Sequence, residues 1–377
     1  MQYNDKTYKE KYKKDIFYMK KAIKLAKKGI YTTHPNPNVG CIIVNNKKIV
    51  GQGWHKKAGD HHAEIYAIQM AGKLTQNSTA YISLEPCNHV GKTPPCCEAI
   101  IQSGIKRVVI SMLDPNPKVS GKGIQYLKKS GIKITLGIMS KESKEINQGF
   151  LKRISTGIPW VTIKMAISVD GKIAMKNGDS KWITSKKSIQ NVHKLRATSS
   201  AILSTSNTIL QDNPKLTVRY KHVNNKQNIL PYTQPIRIII DSKNQIQPNH
   251  NIIKENIGII WLIRLCKDKI QWPNHVKQII IPAYKNYINF KKLLIFLGKK
   301  KINKLWIECG AHLFSNILSM QIIDEIILYI APKMLGNNAY SFFFNKKKVN
   351  INQKPNLIFK NIKMIGQDIR LIIQTKY

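Results

Sequence analysis

The sequence predicts two α/β domains in series. Three observations carry that reading. The chain has 377 residues, more than a typical single domain holds. Short apolar runs of strand length alternate with stretches of helical period along most of it. A new apolar strand, "WVTIKMAIS" at 160–168, opens directly after the breaker-containing stretch "GFLKRISTGIP". The boundary is therefore placed near 150, giving domains 1–150 and 151–377, each large enough for its own core.

In the first domain, apolar residues at helical spacing in "IFYMKKAIKLAKKG" (16–29) predict a helix ending at Gly29. "VGCIIV" and "IVGQGWH", joined by the turn-like "NNKK", read as a hairpin. A helix over 61–72, a strand at 80–84, a helix from Pro95 to about Gly104, a strand at 107–113, a helix at 121–130 and a strand at 132–137 complete a layered α/β unit closing near 140. The second half carries strands at 200–205, 236–241, 257–263, 277–281, 304–309 and 325–332, with helical stretches between several of them. The polar, breaker-rich "YKHVNNKQNILPYTQP" (220–235) reads as a surface loop.

The N-terminus has no apolar signal core, and the longest apolar runs are too short to span a bilayer, so the expected location is the cytoplasm, with no membrane partner. Six cysteines in such a chain suggest metal binding or burial rather than a disulfide framework. The formal charge of +42 invites a nucleic-acid reading. Against it, only 7 of the 62 basic residues are Arg, the residue favoured for phosphate and base recognition. Lys, Ile and Asn are abundant and share A/T-rich codons, so compositional drift accounts for the charge without a polyanionic partner.

Chemistry concentrates in two segments, "HHAEIYAIQM" (61–70) and "LEPCNHVGKTPPCC" (84–97). Catalytic zinc takes three protein ligands and keeps one position open. His62, Cys87 and Cys96 can supply the three. Cys96 falls at a predicted helix start after Pro95, where the dipole favours a thiolate. Glu64, two residues from His62, would stand beside the ion as a proton shuttle, the arrangement of zinc deaminases. Singly, such a His is more often a cap and such a Cys is more often buried filler; together they point to a site. His61 is expected as a neighbour only, and Cys97 as core. The general deaminase signature closes with Pro-Cys-x-x-Cys, whereas eight residues separate Cys87 from Cys96.

"HAEIYAIQMAG", "LEPCNHVGKTPPC", "DPNPKVSGKG" and "GDSKWITS" resemble the bifunctional riboflavin-biosynthesis enzymes, in which a pyrimidine deaminase is fused to a reductase. The likeness runs from "NPNVG" (36–40) to "YIAPKMLG" (329–336), and the long cysteine spacing is this family's own. It implies a cytidine-deaminase-like α/β/α layer followed by a dihydrofolate-reductase-like α/β domain, with Zn²⁺ and NADPH as cofactors. It also implies phosphorylated pyrimidine substrates and a homo-oligomer. Carried over, Asn36, His55, Lys92, Asp114 and Asn116 line the deaminase pocket, although "NPN" and "DPNP" are also ordinary turn chemistry.

No G-x-G-x-x-G follows a strand in the second half. "KLWIECGAHLFSNIL" (304–318), a strand, a Gly and a helix, can set backbone N–H groups against a phosphate, though such junctions are routine. The resemblance assigns Ala166, Trp182, Thr208, Asp212, Ser242 and Gly310, Ala311, His312, Leu313, Phe314, Ser315 and Asn316 to the cofactor, and Lys164, Ser180, Arg196, Leu216, Arg219 and Glu308 to the substrate. Arg196 and Arg219 stand out where Arg is scarce: if drift exchanges Arg for Lys wherever tolerated, survivors mark bidentate phosphate recognition, with packing or chance as the alternative. Three features depart from the family: Cys309 replaces the first of two glycines after Glu308, "STSNT" (204–208) lacks glycines, and the tail 341–356 matches poorly. Two rival readings remain, an RNA or single-strand deaminase with a basic binding module, and a deaminase whose second domain is structural only.

Overall fold

The computed structural model describes residues 5–88, 95–116, 120–177, 183–219, 232–344 and 356–376. The chain forms two compact units, Met1–Gly157 and Ile158–Tyr377. No helix among the described residues is long and apolar enough to cross a membrane.

The first unit runs α1 (Asp5–Ala26), β1 (Gly40–Asn45), β2 (Lys48–Trp54), α2 (Ala63–Ala71), β3 (Thr79–Ile82), α3 (Cys96–Gln102), β4 (Arg107–Ile110), α4 (Lys122–Lys129), β5 (Lys133–Leu136), α5 (Ser140–Glu145) and α6 (Gln148–Thr156). Its sheet has the order β2-β1-β3-β4-β5, with β1 antiparallel to both neighbours and β3, β4 and β5 parallel. The β1–β2 turn places Asn46 and Lys47 at φ 46° and 63°, both left-handed, as a type I′ hairpin requires. One sheet face packs Ile43, Ile82, Val108 and Ile110 against Ala63, Ala67, Ile100 and Leu127 of α2, α3 and α4. The opposite face packs Ile42, Val44 and Val109 against Met19, Ala22 and Ile23 of α1.

Glycine and alanine make the α2 contact unusually close. A Cβ on Gly51 or Gly53 of β2 would collide with the carbonyl oxygen of Ala67 or Ala63 respectively. Ala63, Ala67 and Ala71, four residues apart, present the buried stripe that meets them. Gly40 plays the same part beneath α1, where a Cβ would strike the Ala22 carbonyl.

Two features of this unit differ from the sequence expectation. Helix α1 begins at Asp5, eleven residues before the predicted start at 16. Its polar first half is tied down by tertiary structure: Asp15 is buried, accepts from Arg107 Nη1 at 2.9 Å and Nη2 at 2.6 Å, and also accepts the Tyr81 hydroxyl at 3.0 Å. Helices α5 and α6 extend the unit beyond 140, and α6 ends at Gly157, whose φ is +75°.

The second unit comprises β6 (Trp160–Ser168), β7 (Lys172–Ala174), α7 (Lys186–Arg196), β8 (Ala201–Thr205), α8 (Ser206–Asp212), β9 (Ile236–Ile240), α9 (Asn251–Lys254), β10 (Ile260–Arg264), β11 (Val276–Ile280), β12 (Ala283–Tyr284), β13 (Tyr287–Ile288), α10 (Phe290–Lys299), β14 (Lys304–Glu308), α11 (Ala311–Ser319), β15 (Glu325–Ala331), β16 (Tyr340–Ser341), β17 (Asn356–Ile365) and β18 (Asp368–Lys376). The main sheet has the order β11-β10-β9-β8-β14-β6-β15-β18-β17, parallel from β11 through β15 and antiparallel at β18 and β17. Its central strands are buried on both faces, which explains their continuous apolar runs. Ile163, Leu203 and Ile307 pack under α10 and α11, while Ile202, Trp306 and Tyr329 pack on the side of α7 and α9. The β17–β18 hairpin was not foreseen from sequence. Of the loop read at 220–235, only 232–235 lies within the described residues, and of the tail at 341–356 residues 345–355 lie outside them.

The glycine seam gives the first expectation. Gly53→Ala should destabilise the first unit by about 1–3 kcal/mol or more through overpacking against α2. Urea unfolding of the full chain measures it; an unchanged midpoint would show that α2 yields freely.

Candidate metal centre and reductase cleft

In the first unit, three predicted ligands converge. His62 is the N-cap of α2, Cys96 opens α3 behind Pro95, and Cys87 lies in the segment after β3. His62 Nδ1 lies 3.1 Å from Cys96 Sγ and 3.6 Å from Cys87 Sγ, and the three donor atoms all fall within 4.8 Å of one another. Tetrahedral zinc with ordinary Zn–S and Zn–N lengths needs donor separations of roughly 3.6–3.8 Å; the His62–Cys87 pair stands at that separation, and a Cys96 thiol shift of about half an ångström would bring the set to the ion's geometry. The Cys96 amide donates to Cys87 Sγ at 3.4 Å, the helix-start interaction that favours a thiolate. Hydrogen bonding from Cys96, helped by His62, holds the Cys87 thiol down at about 4 against burial. The hydrogen bond to Cys87 raises His62 to about 9.

Glu64 sits in the first turn of α2, 3% exposed, and burial raises its pKa. Its Oε2 meets no hydrogen-bond donor among the described residues. An unsatisfied buried carboxylate oxygen is costly unless something absent from the protein itself completes it. Water beside a metal, or the polar edge of a heterocycle, has the chemistry to do so. His61 is exposed and stacks edge-on to Tyr66, and Cys97 is fully buried, both as expected.

Asn36 and His55 come together. The Asn36 amide lies 3.0 Å from His55 Nε2, while His55 Nδ1 lies 3.0 Å from the His61 carbonyl. The carbonyl fixes the proton on Nδ1 and leaves Nε2 to accept from Asn36. The His55 ring stands edge-on to His62 at 5.4 Å, which puts this pair beside the ligand triad. Asp114 accepts the Asn116 amide at 2.8 Å, a turn-forming bond. Lys92 lies outside the described residues.

Glu85, in "LEPC", is a site residue that the sequence reading missed. This buried carboxylate accepts from the backbone amides of Gly121 (3.0 Å), Asp114 (3.3 Å) and Ile124 (3.3 Å). It joins the Cys87 segment to the Asp114 loop and the start of α4. Asn147 was missed as well. It accepts the Asn38 amide at 2.7 Å and donates to the Asn38 carbonyl at 3.0 Å, bracing the loop that carries Asn36. A polar residue two positions before a metal ligand was the available signal for Glu85; nothing local marked Asn147.

In the second unit, the proposed cofactor residues follow the carboxyl ends of three adjacent parallel strands. Thr208 and Asp212 lie on α8 after β8, Ser242 follows β9, and Gly310–Asn316 follows β14. That is where open α/β sheets bind ligands. Gly310 caps α11 at φ −77°, ψ 174°, a conformation open to any residue, with no side-chain cap bond. Among the described residues, a Cβ there would meet nothing within 4 Å. Within 310–316, Phe314 is core and Ser315 accepts the Phe344 amide at 2.8 Å, so their side chains serve packing. Ser180 and Trp182 lie outside the described residues.

Lys164 and Ala166 project from β6 opposite the core residues Ile163 and Met165. Lys164 is also in register with Glu308 of β14. Arg196, ending α7, clasps Glu308 through Nε at 2.5 Å and Nη2 at 2.8 Å, and Trp306 Nε1 donates to the same carboxylate at 2.7 Å. Burial pushes Glu308 up, but Arg196, Lys164 and Trp306 outweigh it and hold the carboxyl at about 2. Burial lowers Lys164. Arg196, Leu216 and Arg219 line one cleft of about 400 Å³ with Asn213, Pro214, Lys215 and Asn251. The Arg196 fork is therefore committed to Glu308, while Arg219 is exposed.

The cytidine and deoxycytidylate deaminase zinc-binding region family matches residues 12–112, and the RibD C-terminal domain family matches 159–371. The chain is 54% identical over 366 residues to the riboflavin biosynthesis protein RibD of Buchnera aphidicola subsp. Baizongia pistaciae, covering 96% of this chain and 98% of that one. Among solved structures it is similar to form 1 of Acinetobacter baumannii RibD, at a TM-score of 0.87 and 38% identity over 97% of this chain and 100% of that one. It is likewise similar to a Thermotoga maritima diaminohydroxyphosphoribosylaminopyrimidine deaminase/5-amino-6-(5-phosphoribosylamino)uracil reductase. There the TM-score is 0.85 and identity 31%, over 97% of this chain and 99% of that one.

The ligand geometry sets an elemental test. Protein prepared with zinc should retain about one ion per chain, and Cys96→Ser should lose it while remaining folded by circular dichroism. Full zinc retention in that variant would remove Cys96 from the ligand set.

Proposed function

The chain belongs to the RibD family of riboflavin biosynthesis proteins, bifunctional deaminases and reductases, and on that premise we propose how its own residues divide the two reactions. The first unit hydrolyses the amino group of 2,5-diamino-6-(5-phosphoribosylamino)pyrimidin-4(3H)-one, giving 5-amino-6-(5-phosphoribosylamino)uracil and ammonia. The second reduces the ribosyl group of that product to ribityl. The cofactors are Zn²⁺ and NADPH. The observation that carries this reading is the His62, Cys87, Cys96 cluster with, on the same helix start, a Glu64 oxygen that meets no donor among the described residues.

His62, Cys87 and Cys96 would hold the zinc. When bound, the ion lowers the pKa of water at its open position towards about 7. Glu64 would take the two protons of the attacking water in turn at Oε2, giving the first to the ring nitrogen as the C–O bond forms and the second to the amino group as the C–N bond breaks and ammonia leaves, a role its burial-raised pKa suits. Asn36 and His55 orient the pyrimidine edge, with Lys92, Asp114 and Asn116 as further contacts. In the second unit, NADPH supplies the hydride. Gly310 and the start of α11 receive its phosphates, with Ala166, Trp182, Thr208, Asp212 and Ser242 as its other neighbours. Lys164 and Glu308 face the substrate together with Ser180 and Leu216. Arg196 keeps Glu308 ionised, and Arg219 meets the substrate phosphate.

The protein works in the cytoplasm as a homo-oligomer. Phe359, Ile362 and Met364 of the edge strand β17, 63%, 64% and 58% exposed, share a face with the core-packed Leu371 and Ile373 of β18, so an apolar surface continues past its cover. A second copy of the chain would bury it. Sedimentation equilibrium reads the assembly, and a monomer at all concentrations would reject it.

The decisive assay follows ammonia release and NADPH absorbance in one vessel containing the diaminopyrimidine substrate. Glu64→Gln should slow ammonia release by about 10²–10⁴-fold. NADPH oxidation should stop with it and return when the deaminated uracil is supplied. Wild-type ammonia release in Glu64→Gln would exclude Glu64, and neither signal from folded, zinc-loaded wild type would overturn the whole reading.

A further inference from the structure

The cleft that holds Arg219 is walled by a strap, residues 214–219, that belongs to no sheet. Thr217 and Val218 are each 2% exposed, so their backbone polar groups must find partners inside the protein. They find side chains. The Val218 amide donates to Gln234 Oε1 at 3.0 Å, and Gln234 Nε2 donates back to the Val218 carbonyl at 2.9 Å, so one side-chain amide imitates a strand neighbour. The Tyr232 hydroxyl donates to the same carbonyl at 3.1 Å, and Arg196 Nη1 donates to the Thr217 carbonyl at 3.2 Å. The amide of Arg219 itself donates to His193 Nδ1 at 3.2 Å.

We propose that His193 and Gln234 are positioning residues for phosphate recognition in the reduction: they fix the backbone from which Arg219 reaches the substrate. This rests on the reductase reading above and adds two residues to it. Arg219 is exposed, and its Nη1 donates to Thr217 Oγ1 at 3.1 Å, so its aim depends on where the strap that carries both residues is held. His193 is one turn of α7 before Arg196, so the helix that supplies the Glu308 clasp also sets the Arg219 backbone. The acceptor role requires a neutral ring with Nδ1 unprotonated. Burial, then Arg196 and Arg219, push His193 down to about 4, against the opposing pull of Glu308 and the Thr217 backbone, so the ring stays an acceptor at neutral pH.

The test compares two polar replacements of His193. Asn places its Oδ1 near the former Nδ1 and keeps the acceptor; Gln carries its oxygen farther out and displaces it. His193→Gln should raise KM for 5-amino-6-(5-phosphoribosylamino)uracil about tenfold, with kcat within about twofold and NADPH affinity unchanged. His193→Asn should restore most of the loss. In an Arg219→Ala background His193→Gln should add nothing further, because the aim it sets no longer matters. Gln234→Glu, which keeps the acceptor and loses the donor, should fall between wild type and His193→Gln. Additive effects in the double variant, equal effects of Asn and Gln, or a fall in kcat without a change in KM would each overturn the proposal. A wild-type protein that does not reduce this substrate would instead overturn the reductase reading itself.

Discussion

The approach of α2 to the β1–β2 hairpin governs the first unit. It is possible only because Gly51 and Gly53 lack side chains opposite Ala63, Ala67 and Ala71. The same seam sets the depth of the helix start, and with it the position of His62 and the burial of Glu64. A helix held farther from the sheet would leave Glu64 in water, where its pKa would return to the ordinary carboxylate range and its open oxygen would be solvated. Backbone shape thus determines side-chain chemistry here. Cys87 and Cys96 close around the same point, because Glu85 ties their segment to the far loop and the start of α4.

The second unit is organised by charge in place of close backbone contact. Its site faces one side of a sheet otherwise buried on both, so each charge on that side needs a partner. Glu308, Arg196, Lys164 and Trp306 supply one another. The wider pattern revises the sequence reading of arginine as a phosphate marker. Arg107 grips Asp15, Arg237 donates to backbone carbonyls of Lys215, Ile252 and Ile257, Arg264 bridges Asp241 and Asp268, and Arg370 meets Asn191 and Asn361. In a chain with 55 Lys and 7 Arg, the guanidinium persists mainly where one cation must satisfy several acceptors inside the protein. Arg219 differs from these in being exposed, with Nη1 donating to Thr217 Oγ1 at 3.1 Å.

The elements that sequence revealed were those whose cause is local. Strand runs such as 160–168 matched their observed limits because burial on both faces demands unbroken apolar residues. The candidate metal cluster of His62, Cys87 and Cys96 was legible because each residue stands at a helix start or beyond a strand end with chemistry that has few other uses. What stayed hidden depends on partners far along the chain. The first half of α1 looks like a solvated tail until Arg107 meets Asp15, 92 residues away. Strand β17 mixes Lys and Asn with apolar residues in no regular alternation and becomes a strand through pairing with β18. Glu85, Asn147, His193 and Gln234 act on backbone that the fold brings to them, and no spacing rule announces that.

The glycine seam also bears on how such a chain tolerates mutation. Every single-base change in a glycine codon that alters the residue adds at least a Cβ, so Gly40, Gly51 and Gly53 have no neutral neighbour in sequence space where an added atom meets a carbonyl oxygen. Elsewhere, drift towards A/T-rich codons can turn surface residues into Lys or Asn at little cost. Along the seam the same pressure turns glycine into serine, arginine, aspartate or glutamate, and each of these would push α2 or α1 off the sheet. A lineage under that pressure can change most of its surface before it changes these three positions.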